Sequence, residues 1–182
     1  PGIEVSLVED IAGQLWGRFE RNELDVLVTR LDARALGSGL PHRRLFADRH
    51  RVVCGPNHPL ARRRRVTWRD AARYQWLMPT DGTPLYEALT ATFAAAGVAP
   101  PQALITSVSA TANVTLFTRT NALGVQSGAL AAQMHERGTL VALPLTLAHD
   151  TGDVGLVWRD REAGAVLEAV LQAFVDASGG AS

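Results

Sequence analysis

The chain has 182 residues, 47% of them hydrophobic and 20% charged, enough for one large domain or two small ones with a buried core. Eighteen basic residues, all arginine, face eighteen acidic ones, so no net field draws the chain to nucleic acid or to a membrane. A single cysteine, Cys54, excludes an internal disulfide and fits a reducing compartment, and no apolar run approaches the length of a membrane helix.

The opening residues, PGIEVSLVED, lack the basic and apolar regions of a secretion signal and look like a strand already under way, as in a piece of something larger. Ile3, Val5 and Leu7 alternate with Glu4, Ser6 and Val8, which predicts a half-buried strand. Asp10 is placed to cap a helix over 11–20, with Ile11, Leu15, Trp16 and Phe19 on one face. The run Val26-Leu27-Val28 predicts a strand buried on both faces. Strand, helix and strand with tight connections predict a right-handed βαβ unit with parallel pairing. The stretch 32–49, with its glycines, proline and charges, is a candidate crossing point.

The middle repeats the theme. A strand over 51–55 leads through a turn at Pro56-Asn57 to a short helix over 68–73. QWLMP is a strand, and the helix over 83–96 is stopped by Gly97. ALITS and LGVQS are strands, followed by helices over 110–119 and 128–137. LVALPL and DVGLVWRD are the last strands, and the closing helix carries a buried stripe of Val166, Leu167, Val170, Leu171 and Phe174. The pattern is α/β with a mostly parallel sheet. Periodicity leaves one sheet or two open.

Open α/β sheets bind ligands beyond the carboxyl ends of their strands, where helix N-termini also point. The residues there are Thr29 and Arg30, then Thr80, Asp81 and Thr83, then Ser107 and Ser109, then Gln126 and Ser127. Hydroxyls, an amide and a cation at several junctions indicate a small polar ligand. Ser and Thr are also the ordinary helix caps, so each junction alone is more often structural; Thr83 followed by Pro84 is such a cap.

Catalytic signatures are absent from the sequence. GVQSGAL misplaces its serine for a nucleophile elbow, and no phosphate loop or dinucleotide fingerprint appears. His42, His50, His58, His135 and His149 have no metal-ligand spacing, and Cys54 in an apolar strand is an inert core thiol. Neither an enzyme nor a cofactor is expected. Arg62 to Arg65 form a basic run without interleaved aromatics, more often a solvated face than a nucleic-acid site.

Four segments in order resemble the ligand-binding domain of LysR-type transcriptional regulators: PGIEVSLVEDIAGQLWGRFERNELDVLVTRL, HRVVCGPNHPLARR, PTDGTPLYEALTATFAAAGVAPP and ITSVSATANVTLFTRTNALGVQSGALA. The resemblance implies a periplasmic-binding-protein-like fold of two Rossmann-like subdomains joined by two crossing strands. Residues 1–51 with 153–182 would form one, without its first strand and helix, and 52–152 the other. It implies an effector site in the cleft between them, drawing on the same junctions. It further implies a cytoplasmic regulator, a homo-oligomer when full-length, that touches DNA only through an N-terminal domain not contained in this sequence. The expected effector is a small anionic or polar metabolite, such as an aromatic or sugar acid. A solute-binding protein serving a transporter is the alternative.

Overall fold

The computed structural model describes residues 2–102, 105–107, 109–159 and 164–179. The chain forms two compact units, Pro1–Ala47 with Gly152–Ser182, and Asp48–Thr151. The first unit begins with α1 (Ala12–Glu20), β1 (Val26–Arg30), α2 (Ala33–Gly37) and β2 (His42–Phe46). The second holds β3 (Arg51–Cys54), α3 (Trp68–Ala71), β4 (Gln75–Met78), α4 (Pro84–Ala95), β5 (Ile105–Thr106), α5 (Ala110–Arg119), β6 (Ala122–Gln126), α6 (Gly128–Glu136) and β7 (Val141–Ala142). The chain then returns to the first unit as β8 (Val154–Trp158) and α7 (Ala165–Ser178). Of the predicted strand ALITS, Ala103 and Leu104 lie outside the described residues, as does Asp160 after β8.

In the first unit, Asp10 takes the backbone N–H of Ile11 at 2.8 Å, just ahead of α1. Trp16 and Phe19 are buried on its inner face with their rings edge to face, and pack with Leu27, Leu31, Ala35 and Val157. The expected βαβ unit does not form. β1 pairs antiparallel with β8, from Val26 opposite Trp158 to Arg30 opposite Val154, and β2 pairs antiparallel with the other edge of β8. Residues 2–10 form no strand, and Ile3, Val5 and Leu7 are exposed, Leu7 to 82%. Alternation tells which side chains share a face, but a strand needs a partner ladder, and among the described residues these have none.

Two further expectations change for the same reason. β1 lies at a sheet edge and is buried on one face only, with Val28 44% exposed. The stripe of α7 is only partly covered: Leu171 is buried, Leu167, Val170 and Phe174 are half-buried, and Val166 is exposed. Val5, Leu7, Val28, Val166 and Phe174 line one open groove. The stretch 32–49 is not a bare crossing but holds α2 and β2, with Asp32 capping α2 through the Ala35 N–H at 3.0 Å.

The second unit is a mixed sheet in the order β5-β4-β6-β3-β7. β5, β4 and β6 are parallel neighbours, as the alternation of strands and helices predicts, while β3 runs antiparallel to β6 and β7. Each face carries its own core. On one, Val52, Cys54, Trp76, Met78 and Leu123 meet Leu89 and Phe93 of α4. On the other, Val53, Leu77 and Ala122 meet Phe117 of α5 and Ala131 of α6. Gly124 lets Phe117 close on that face, since a Cβ there would lie 2.6 Å from the ring. Trp68, Trp76 and Phe93 form an aromatic cluster with centroids 5.0–6.1 Å apart.

Candidate functional site

The parallel run β5-β4-β6 brings three junctions to one edge of the second unit. Leu77 lies opposite both Ile105 and Gly124, so the strands end nearly level. Neighbouring strands are about 4.8 Å apart. Ser107 and Ser109, then Thr80, Asp81 and Thr83, then Gln126 and Ser127 therefore stand side by side. Each junction leads into a helix whose first backbone N–H groups face the same edge.

The side chains divide into caps and open groups. Thr83 Oγ1 donates to the Thr80 carbonyl at 2.6 Å and accepts from the Tyr86 N–H at 3.3 Å, so its proton and one lone pair serve α4. Asp81 is exposed and accepts the N–H of Gly82 at 2.9 Å. Ser109 caps α5 through the Ala112 N–H at 3.3 Å, and Ser107 Oγ accepts the Ser109 N–H at 3.2 Å. Ser127 caps α6 through the Leu130 N–H at 3.2 Å. Gln126 differs from all of these. It ends β6 with only 9% of its surface exposed, and its side-chain amide has no hydrogen-bond partner among the described residues.

Three residues at or near this edge escaped the sequence reasoning. Arg51 starts β3 directly opposite Gln126, on the same face of the sheet, and its exposed guanidinium has no partner among the described residues. An antiparallel strand brings its first residue to the edge where its neighbours end, so Arg51 carries no after-strand signal in the sequence. Asn113, in the first turns of α5, donates to the Ser107 carbonyl at 3.4 Å and leaves its Oδ1 buried without a partner. Asp48 Oδ1 accepts the Ala129 N–H at 2.8 Å, so the start of α6 already holds a carboxylate of the chain itself. No local pattern links Asp48 to a helix that starts eighty residues later.

In the first unit, Thr29 and Arg30 end β1 and are half-buried, and Arg30 Nη1 donates to the Gly152 carbonyl at 2.7 Å. His58 is held by the Leu60 N–H on Nδ1 at 3.0 Å and the Asn121 carbonyl at Nε2 at 3.2 Å, and burial lowers its pKa. Burial pushes the Cys54 thiol up to about 12, far from a reactive thiolate. No metal-ligand cluster occurs among the described residues. The edge carries donors, acceptors and the Arg51 cation.

Comparisons with known proteins agree with this architecture. The family model described as the LysR substrate binding domain matches residues 1–179. The HTH-type transcriptional regulator GbpR of Azospirillum brasilense is 24% identical over 163 residues, 88% of this chain and 48% of that protein. The chain thus spans about half the length of the curated relative it matches. The Synechocystis CcmR regulatory domain, solved in complex with 2-PG, superposes with a TM-score of 0.77 at 17% identity, over 98% of this chain and 85% of that one. The regulatory domain of MetR, a LysR family regulator from N. meningitidis, gives a TM-score of 0.68 at 17% identity, over 100% and 82%.

Proposed function

Because this chain belongs to the LysR substrate-binding domain family, we propose that it is the effector-sensing part of a transcription regulator and holds a small anionic or polar metabolite at the β5-β4-β6 edge. The observation that carries this is Asn113 Oδ1, buried without a hydrogen-bond partner in the first turns of α5. A buried amide normally finds a partner, because leaving one unpaired costs about 1–3 kcal/mol. An unpaired amide at the carboxyl edge of parallel strands has its partner in a ligand.

The neighbouring groups define the ligand's chemistry. Gln126 offers two donors and an acceptor, Asn113 Oδ1 a further acceptor, and Arg51 a cation suited to a carboxylate. The N-termini of α4 and α5 add favourable backbone dipoles, with Thr83 and Ser109 as their caps, while the start of α6, capped by Ser127, already holds Asp48. Thr80 and Ser107 supply hydroxyls. A hydroxy acid or an aromatic or sugar acid matches this mixture of donors, acceptors and one positive charge. Asp81, exposed on its loop, is proposed as a contact to a hydroxyl of the ligand rather than to its anionic group.

The whole regulator is proposed to be cytoplasmic and homo-oligomeric and to reach its promoter through a separate DNA-binding domain. Ligand binding would act by favouring one of two arrangements of the protein. The family match gives the transporter-serving alternative no support. We assign the chain no reaction.

The test is calorimetric titration with small carboxylates, followed by Gln126→Leu. The variant should bind at least tenfold more weakly, since a hydrogen bond to a charged group is worth about 1.5–3 kcal/mol. Its unfolding free energy should stay near the parent's, because the amide makes no hydrogen bond among the described residues. An unchanged dissociation constant removes Gln126 from the site. A panel with no binder removes the carboxylate class.

A further inference from the structure

We propose that the loop Arg62–Arg65, with Arg69, is a docking surface for the phosphate backbone of duplex DNA, contacted without regard to base sequence. The inference is independent of the effector site and stands or falls separately from it.

The segment 61–74 carries six of the chain's eighteen arginines against one aspartate, a formal charge of +5 in a chain whose net charge is zero. All six are exposed. Folded proteins ordinarily intersperse such a run with acids, yet the side chains of Arg62, Arg64, Arg65 and Arg69 make no hydrogen bond or ion pair among the described residues. The one local acid is engaged in a helix cap. Asp70 Oδ2 accepts the Thr67 hydroxyl at 2.6 Å and the Thr67 N–H at 3.0 Å, completing the capping box of α3, while its Oδ1 reaches Arg63 Nη1 at 3.9 Å. Those bonds to Thr67 hold its carboxyl below the usual carboxylate range, so it stays committed to the cap.

The loop is also held in place. Leu60 and Val66, 1% and 8% exposed, anchor its two ends in the core, and the Arg63 N–H bonds the Leu60 carbonyl at 3.1 Å. The arginines are thus presented from a fixed base rather than from a tail, which lowers the entropy lost on docking.

The neighbourhood selects the partner. Protein interfaces need an apolar or aromatic anchor at their centre, and the exposed large apolar side chains all lie outside 56–74. Stacking of single-stranded bases needs exposed aromatics, whereas Trp68 packs against Trp76 and Phe93. What remains is a row of permanently charged side chains, which match phosphate oxygens by charge.

The experiment is fluorescence anisotropy of this chain with a short labelled duplex of arbitrary sequence, over a salt series. With about four phosphates neutralised, log K should fall against log salt with a slope of about −3 to −4, a loss of about a hundredfold between 50 and 200 mM. Replacing Arg62, Arg63, Arg64 and Arg65 by alanine together should cut affinity at least tenfold and flatten the slope. The same positions as lysine should keep most of both, and Arg43→Ala with Arg44→Ala should leave binding unchanged. A thermal melt matching the parent shows that the alanine variant is folded. The proposal is overturned by no binding at 25 mM salt, by a slope the alanine variant shares, or by poly-glutamate binding as tightly as the duplex.

Discussion

Gly124 offers the sharpest test of the packing that positions Gln126. It lies in β6 opposite Val53, and a methyl group there would sit 2.6 Å from Cζ and 2.8 Å from Cε1 of Phe117, with the Leu77 carbonyl oxygen at 3.2 Å. Carbon atoms pack at about 3.5–4.0 Å, so the ring must withdraw by about 1 Å. It has nowhere to go, since Phe117 is 1% exposed in a filled core. Gly124→Ala should therefore destabilise the second unit by about 1–3 kcal/mol. The obstructing atoms are the far end of a ring, however, and Phe117→Leu removes them. That change alone leaves a void and costs about 1–3 kcal/mol. Combined, the two should cost less than their sum by at least about 0.5 kcal/mol, because the added methyl fills part of the space the ring vacates. Gly55 provides the contrast. A Cβ there meets the Phe117 carbonyl oxygen at 2.1 Å and Thr118 Cα at 3.2 Å, both backbone atoms that Phe117→Leu leaves in place. Gly55→Ala should be at least as damaging and gain no relief. Urea unfolding followed by tryptophan fluorescence measures all of these, with Trp68 and Trp76 reporting on the second unit. Strict additivity at Gly124, or relief at Gly55, would refute the packing argument.

His58 should make stability depend on pH. Burial holds its pKa below the ordinary 6.5, so the folded state binds fewer protons than the unfolded one as pH falls below that value. Its contribution is complete above 6.5 and is lost as pH drops through the folded value, where charging also displaces the Leu60 N–H from Nδ1. Melting curves between pH 7.5 and about 5 should show a decline that His58→Gln reduces; an equal decline in the variant would assign it to other groups. Cys54, with its thiol pushed up to about 12, should resist a thiol reagent at pH 8 in the native protein and react fully in denaturant. Prompt native labelling would mean that the β3 core opens far more readily than its packing implies.

What the sequence determined by itself is what depends on neighbours a few residues away. The caps at Thr83, Ser109 and Ser127 all form where a hydroxyl precedes a helical run, because a cap bonds a backbone N–H three residues on. The buried face of α1 and the parallel direction of β5, β4 and β6 follow likewise from periodicity and from strands alternating with helices. Tertiary structure decided the rest, because partners in a sheet can be remote in sequence. β1 pairs with β8 across more than a hundred residues, and that pairing, not the alternation of Ile3, Val5 and Leu7, determines which segments become strands. The same holds at the candidate site. Sequence marked Gln126 as one polar residue among several after strands. Only the folded sheet leaves the Asn113 Oδ1 buried without a partner, puts Arg51 opposite Gln126 through an antiparallel neighbour, and occupies the start of α6 with Asp48. Hydrogen-bond satisfaction is a property of three-dimensional surroundings, and a linear pattern carries no record of which groups remain unsatisfied.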